Sequence, residues 1–164
     1  MIRDVLRRII SGGQTGADRA ALDFALESRI ETGGCVPLGR RAEDGVISKR
    51  YRNLVESTSA DPAERTRSNV LDSDATLIFS YGELTGGTLL TREIAQAAGR
   101  EHLNVDLRTL TIEAAVEAVS DWLNRTRPTV LNVAGPRASE ASGIYSDVLL
   151  VLRKVRDEQE KAGR

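Results

Sequence analysis

The stretch "SGGQTGADRAALD", Ser11–Asp23, decides the fold. Three glycines, Gly12, Gly13 and Gly16, fall within five residues, after the apolar pair Ile9–Ile10 and before a run of good helix formers. Glycine tolerates unusual backbone angles and lets the main chain approach a neighbour closely. A helix that starts directly afterwards offers unpaired N–H groups and a partial positive charge. Strand, glycine turn and helix together make an anion site, most often for phosphate. Gln14 and Thr15 add polar side chains to it. Asp18 has two readings: a contact to ligand or cation, or the partner of an N-capping Thr15 in a capping box. The spacing is G-G-x-x-G, so it is not G-x-G-x-x-G, and no Gly-Lys-Ser/Thr follows to make a P-loop.

Outward from this loop, short apolar runs alternate with helical patterns. Leu6–Ile10 is expected as the first strand. Asp18–Arg29 is expected as a helix with Ala21, Leu22, Ala25 and Leu26 on one face. "GGCVPLG" (33–39) reads as a short strand or extended turn, and 64–74 as a helix ending near Ser73. "ATLIFS" (75–80) is a strand, and 88–99 a helix with Gly99 as C-cap. Residues 102–107 form a strand. Residues 111–126 form an amphipathic helix carrying Ile112, Ala115, Val116, Val119 and Leu123. Residues 129–135 are the last strand and 144–161 the last helix, its charged end exposed from about residue 156. Strands separated by helices imply parallel pairing with helical crossovers, and 75–80 and 129–134 look buried on both faces. The expected class is α/β: one Rossmann-like domain over residues 1–164, a doubly wound parallel sheet of about five strands with helices on both faces. Such sheets bind ligands at the carboxyl ends of their strands.

Three loops therefore matter. Beside Gly12–Gly16 there is "YGELTGGT" (81–88), where Gly86, Gly87 and Thr88 repeat the design and Thr91 follows one turn later. The third is "GPRASEASG" (135–143), with Gly135, Arg137 and Ser139. Arg137 has the fork geometry for a bidentate bond to phosphate or carboxylate, or it is a solvated surface arginine. In "GRRAEDG" (39–45), Arg40, Glu43 and Asp44 are candidates to recognise a polar heterocycle, or they form a salt-bridged surface hairpin. Arg65, Thr66, Asn69, Asp72 and Asp74 add polar groups before the 75–80 strand. Asp72 and Asp74 sit by the ligand or cap the turn into that strand. Cys35 reads as a small hydrophobe and His102 as structural.

Composition removes several classes. The chain has 164 residues, 40% hydrophobic and 29% charged, with a net charge of -1. No basic run argues for nucleic acid, and no apolar run approaches the roughly 20 residues of a membrane span. The start "MIRDVLRRII" lacks the apolar core of a signal peptide. One cysteine allows no internal disulfide and fits a reducing cytosol, so a cytoplasmic protein is expected. One histidine and one cysteine make no zinc cluster, and no metal ligands are expected.

Taken together, "SGGQTGADRAALD", "GRRAEDG", "ERTRSNVLDSDATLIFS", "LTGGTLLT" and "LNVAGPRASEASGIY" resemble the molybdenum cofactor carrier family, in order from residue 11 to 145. That family is similar to the wider Rossmann-like group of lysine-decarboxylase-like and cytokinin-activating phosphoribohydrolase proteins. The resemblance implies a small cytosolic homo-oligomer, dimer or tetramer, that binds molybdenum cofactor (molybdopterin), a pterin with a dithiolene-held molybdenum and a terminal phosphate. It implies that the phosphate docks on helix N-termini, the metal-oxo head on donors of the second glycine loop, and the pterin edge on Asp or Glu and Arg. The family's cysteine stands immediately before the proline; here Val36 precedes Pro37 and Cys35 is one place earlier, so no thiol role carries over. The phosphoribohydrolase relatives use G-G-x-G-T-x-x-E. Counted from Gly86, Glu93 falls at the glutamate, but Leu89 and Leu90 replace the second glycine and the threonine. The leading reading is a carrier without turnover. The alternatives are a nucleotide N-glycosidic hydrolase, with Glu93 or Asp18 as acid–base and Arg137 on the phosphate, and a sensor of a nucleotide or ADP-ribose-like ligand.

Overall fold

In the computed structural model, which describes residues 5–163, the chain folds into a parallel sheet covered by helices on both sides. The outermost residues of the expected 1–164 domain lie outside the described residues. Six strands form the sheet: β1 (Arg8–Ile10), β2 (Glu31–Val36), β5 (Leu54–Glu56), β6 (Ala75–Ser80), β7 (Glu101–Asp106) and β8 (Val130–Ala134). Their spatial order is β5-β2-β1-β8-β6-β7, with every neighbouring pair parallel. The helices are α1 (Ala17–Glu27), α2 (Pro62–Leu71), α3 (Gly86–Ala97), α4 (Ile112–Thr126) and α5 (Ile144–Ala162). Between β2 and β5, β3 (Arg41–Ala42) and β4 (Gly45–Val46) make a small antiparallel hairpin. The strand absent from the sequence reading is β5, too short at three residues to display a period.

Alternation along the central strands divides the interior. Leu77 and Phe79 of β6, with Leu131 and Val133 of β8, face α1, α4 and α5 in the main core. The other side chains of these strands include Thr76, Ser80 and Asn132, all buried. They face the side covered by α2 and α3, which contribute a small cluster of Val70, Ile94 and Ala95. The two faces thus differ in kind, one apolar throughout and the other carrying buried polar groups. Asn132 Nδ2 donates to Thr76 Oγ1 (3.4 Å) across that second face.

The helix ends follow from local chemistry. Asp61 caps α2 by accepting from the Ala63 N–H, with Pro62 at the first helical position. Thr111 caps α4 by accepting from the Ala114 N–H. The expected apolar face of α1 needs one correction: Leu26 is 38% exposed. Phe24 fills the main core in its place, and Leu22 turns into a second cluster with Val36, Ile47 and Tyr51 under the hairpin. The apolar faces of α4 and α5 are core, and α5 runs on to Ala162 with no buried residue after Val155.

The chain leaves β1 for β2 on one side, leads from β6 to β7 on the other, and returns between them as β8. The loops after β1, β8 and β6 therefore open side by side at the carboxyl edge, the reversal point where such sheets bind ligands. No helix among the described residues is long and apolar enough to cross a membrane.

Candidate functional site

At that edge lies a cleft of about 110 Å³. Its walls come from four segments: Gly12, Gln14 and Asp18 of the first glycine loop and α1; Arg65, Thr66 and Asn69 of α2; Gly87, Thr88 and Thr91 of α3; and the stretch from Asn132 to Gly135 with Arg137 and Glu140. Gly12 and Gln14 of the first glycine loop and Gly87 and Thr88 of the second thus open on one space.

The two glycine loops do different jobs in it. In the first, some amides are already bonded within the protein, while those of Gly12, Gly16, Asp18 and Arg19 find no acceptor among the described residues. The Gly13 N–H donates to Ser11 Oγ (3.2 Å), Gln14 to Asp18 Oδ2 (3.3 Å) and Thr15 to Gln14 Oε1 (3.1 Å). The first helical amide, that of Ala17, donates to the Pro136 carbonyl (3.2 Å). The first loop is thus partly closed by its own polar side chains, and Gly12 and Asp18, which line the cleft, keep open amides at the start of α1. The second loop is open. Thr85 precedes α3 without a side-chain capping bond, the first α3 turn closes with Leu89 N–H to Thr85 O, and the amides of Gly86, Gly87 and Thr88 find no acceptor among the described residues. The positive end of a helix dipole, with bare donors, thus faces the cleft on the α3 side.

Arg65 stands opposite. Half-buried, its guanidinium makes no hydrogen bond or ion pair with any described residue. It lies by Gly12: a Cβ built on Gly12 would stand 3.6 Å from Arg65 Nε and 2.9 Å from Asp18 Oδ2. The missing side chain keeps this space open between the two charges. Arg137 is the second cation, partly engaged by Glu140 at 3.2 Å. Burial pushes the Asp18 carboxyl up to about 7, against the Gln14 N–H and the nearby Arg65, Arg19 and Arg137 guanidiniums, which all favour its ionised form. Near neutral pH the cleft therefore holds a carboxyl that exchanges its proton, flanked by two cations and a helix N-terminus.

Other candidates are held by bonds within the protein or lie away from the cleft. Thr15 does not cap α1; Gly16 occupies the cap position. The Thr15 hydroxyl donates to Glu43, which also accepts from the Ser139 hydroxyl (2.6 Å) and the Ser139 N–H (3.1 Å). The Ser139 and Thr15 hydroxyls hold the Glu43 carboxyl below the usual carboxylate range. Asp44 pairs with Arg19 at 2.9 Å. The "GRRAEDG" hairpin is thus a salt-bridged clasp on the outside of the first glycine loop, and Glu43, Asp44, Thr15 and Ser139 stand outside the cleft. Arg40 is spent on the carbonyls of Ile47 (3.1 Å) and Ser48 (2.8 Å). Gly13 packs on Ile47 and Val36, Gly16 on the Pro136–Ala138 backbone, and Gly86 has no atom near its Cβ position; none of the three lines the cleft.

Asp74 is misplaced most clearly. It precedes β6 at the amino edge, where Oδ2 accepts from the Thr129 (2.9 Å) and Val130 (2.8 Å) amides, a six-residue strand or ~20 Å from the cleft edge. His102, second residue of β7, lies toward that same far edge. Asn69 lines the cleft, but its amide brackets the Cys35 backbone, accepting from its N–H (2.7 Å) and donating to its C=O (3.0 Å). Glu93 is exposed on α3 and takes no part in the cleft wall. The sequence reading missed Asn132, Val133, Ala134 and Glu140. A polar Asn132 inside the apolar run "TVLNVAG" was the available signal. Among the described residues no group of three or more His, Cys, Asp or Glu side chains is arranged to hold a metal ion.

With this geometry the chain can be compared with known proteins. It is 45% identical to a crystal structure from Syntrophus aciditrophicus SB named "putative molybdenum carrier protein", with a TM-score of 0.88 over 92% of this chain and 95% of that one. No curated protein matches it. A family model, the circularly permutated YpsA SLOG family, matches residues 9–156. That match, over most of the chain, shows that the chain belongs to the circularly permutated YpsA SLOG family.

Proposed function

We propose that the protein is a binding and carrier protein for molybdenum cofactor, holding the oxyanionic end of that ligand in the cleft. The observation that carries this reading is the unpaired Arg65 guanidinium lining one cleft with the open Gly87 and Thr88 amides. It is supported by the similarity to a protein named as a molybdenum carrier. The donor set fits the group: guanidiniums and bare amides suit a phosphate or a metal-bound oxo group, and the cofactor's own dithiolene would hold the molybdenum. At about 110 Å³ the cleft takes the anionic end alone, so the pterin must extend beyond it.

The test is to incubate the pure protein with released cofactor, gel-filter it, and assay molybdenum and pterin fluorescence in the protein peak. Coelution is expected. Coelution no greater than that of an unrelated Rossmann protein overturns the reading. Arg65→Ala should weaken binding by about 1.5–3 kcal/mol, the range for charge-assisted hydrogen bonds, roughly 10- to 100-fold. Arg137→Ala should cost less, because Glu140 already claims part of that guanidinium.

One observation favours a second reading, a nucleotide-processing enzyme of the phosphoribohydrolase type. Asp18 titrates near neutrality within the cleft, the profile of a general acid–base, whereas Glu93 points to solvent. Release of free base from nucleoside monophosphates, abolished by Asp18→Asn and kept by Glu93→Gln, would establish turnover. No release from any of them would leave binding as the activity.

A further inference from the structure

A second compartment of about 310 Å³ adjoins the cleft and shares Thr88 and Glu140 with it. The first turn of α3 is thus the partition between two rooms. The second is lined by Ser80, Tyr81, Glu83 and Thr85 after β6, by Arg108 after β7, and by the 136–142 stretch after β8. It is much the larger, and the reading of the cleft above leaves it without a use.

Its walls carry one cation, Arg108, whose charge also acts on Asp106, and the carboxylates Glu83 and Glu140. The Arg108 guanidinium lies over Gly82, where a Cβ would stand 2.8 Å from Nη1, and it makes no side-chain hydrogen bond or ion pair with a described residue. Glu83, next in sequence to Gly82, is exposed and likewise has no described partner. Tyr81 packs against the main core with its hydroxyl donating to Asp147, so its ring is a fixed part of the wall. A second phosphate would suit this room badly, since it would meet Glu83 and Glu140 beside the one cation. A flat ring with separate donor and acceptor edges would suit it well.

Resting on the carrier reading of the neighbouring cleft, we propose that this compartment binds the ring of the ligand and selects a 2-amino-4-oxopyrimidine edge, that of a pterin or a guanine, with Glu83 and Arg108 as its specificity-determining residues. A carboxylate accepts two parallel N–H bonds, and the ring N–H and 2-amino group of this edge supply that pair. The oxo group and adjacent ring nitrogen are acceptors for a guanidinium, the pairing by which arginine reads guanine. Adenine presents one amino donor beside an acceptor nitrogen, so it leaves a carboxylate half-satisfied.

The experiment measures affinities of the full chain for GMP, AMP, 6-hydroxymethylpterin monophosphate and inorganic phosphate by calorimetry. GMP and the pterin phosphate are expected to bind at least about 10-fold more tightly than AMP, within the discrimination of a good bidentate pair. Tighter binding of the pterin phosphate identifies a pterin as the ligand, and tighter binding of GMP a guanine nucleotide. Glu83→Gln and Arg108→Met should each collapse the GMP:AMP ratio toward one. Arg65→Ala should weaken both nucleotides and keep the ratio, because it acts on the phosphate. Equal GMP and AMP affinities, or a ratio untouched by both compartment variants, would overturn the ring assignment while phosphate binding leaves the cleft reading standing. Absence of binding by phosphate and every ester would overturn both.

Discussion

Asp18→Asn is expected to stabilise the protein at alkaline pH and to leave it unchanged in acid. The folded Asp18 carboxyl keeps its proton up to about pH 7, whereas its ordinary value is 3.8. Between those values the native state binds more protons than the unfolded chain, so stability falls as pH rises and the loss is complete above about pH 7. About three pH units at 1.36 kcal/mol each bounds the effect near 4 kcal/mol; water in the open cleft reduces it, and we expect roughly 2–4 kcal/mol. Asparagine keeps an oxygen for the Gln14 N–H and carries no charge to bury. Urea unfolding of both proteins at pH 3 and 8.5 checks this: the curves should nearly coincide at the lower pH, below the ordinary carboxyl value, and separate at the higher. Ligand binding should carry the same signature. Sulfate, whose own charge is constant over this range, should bind the wild type more weakly as pH rises through 7 and the variant evenly. Parallel pH profiles for the two proteins would show that Asp18 ionises as an ordinary surface carboxylate.

That carboxyl also marks how far the sequence could be read. Glycine, threonine and aspartate at the ends of apolar runs located the cleft, because only loops after parallel strands meet at one edge, and Gly12, Asp18, Arg65, Gly87, Thr88 and Arg137 do meet there. The direction of each hydrogen bond was not readable. Whether Gln14 reaches outward to a ligand or back to the Thr15 and Glu43 amides depends on the hairpin 29 residues away. For that reason Gly13, Gln14 and Thr15 of the first glycine loop are satisfied within the protein, while Gly12 and Gly16 there and the plainer Gly86–Gly87–Thr88 carry open amides. Asp74 and Asp18 are alike as carboxylates beside buried elements. Which edge of the sheet each serves follows from strand direction, and Asp74 lies before its strand rather than after it. Arg40 looked like a ligand group because nothing local reveals that the carbonyls of Ile47 and Ser48 will turn toward it. Glu83 and Arg108 escaped notice because they come from different crossovers, and only the fold brings both to one compartment.

Gly16→Ala should be among the most damaging single changes in the chain, and the reason lies in how two of the three loops touch. Gly16 has φ 78 and ψ −130, a conformation that costs a non-glycine residue about 1–3 kcal/mol. A Cβ there would stand 2.4 Å from the Pro136 carbonyl oxygen and 2.9 Å from the Ala138 nitrogen. These are backbone atoms that cannot swing aside. They are held in turn, the Pro136 oxygen by the Ala17 N–H (3.2 Å) and the Ala138 N–H by Thr15 Oγ1 (3.1 Å), so the methyl must force the loops apart or break both bonds. With overpacking worth about 1–3 kcal/mol more, a loss of roughly 3–5 kcal/mol is expected, a large part of the 5–15 kcal/mol that usually holds a domain. Gly87→Ala is the control. No atom lies within 4 Å of its Cβ position, it sits in the first turn of α3, and the same methyl should leave the melting temperature equal or slightly raised. Chemical denaturation of both variants separates backbone contact from glycine content: comparable losses would mean that the close approach of the first and third loops contributes nothing. Because Arg137 belongs to the segment that Gly16 touches, any Gly16→Ala protein that still folds should also bind sulfate less tightly than Gly87→Ala, linking the packing of the two loops to the grip of the cleft.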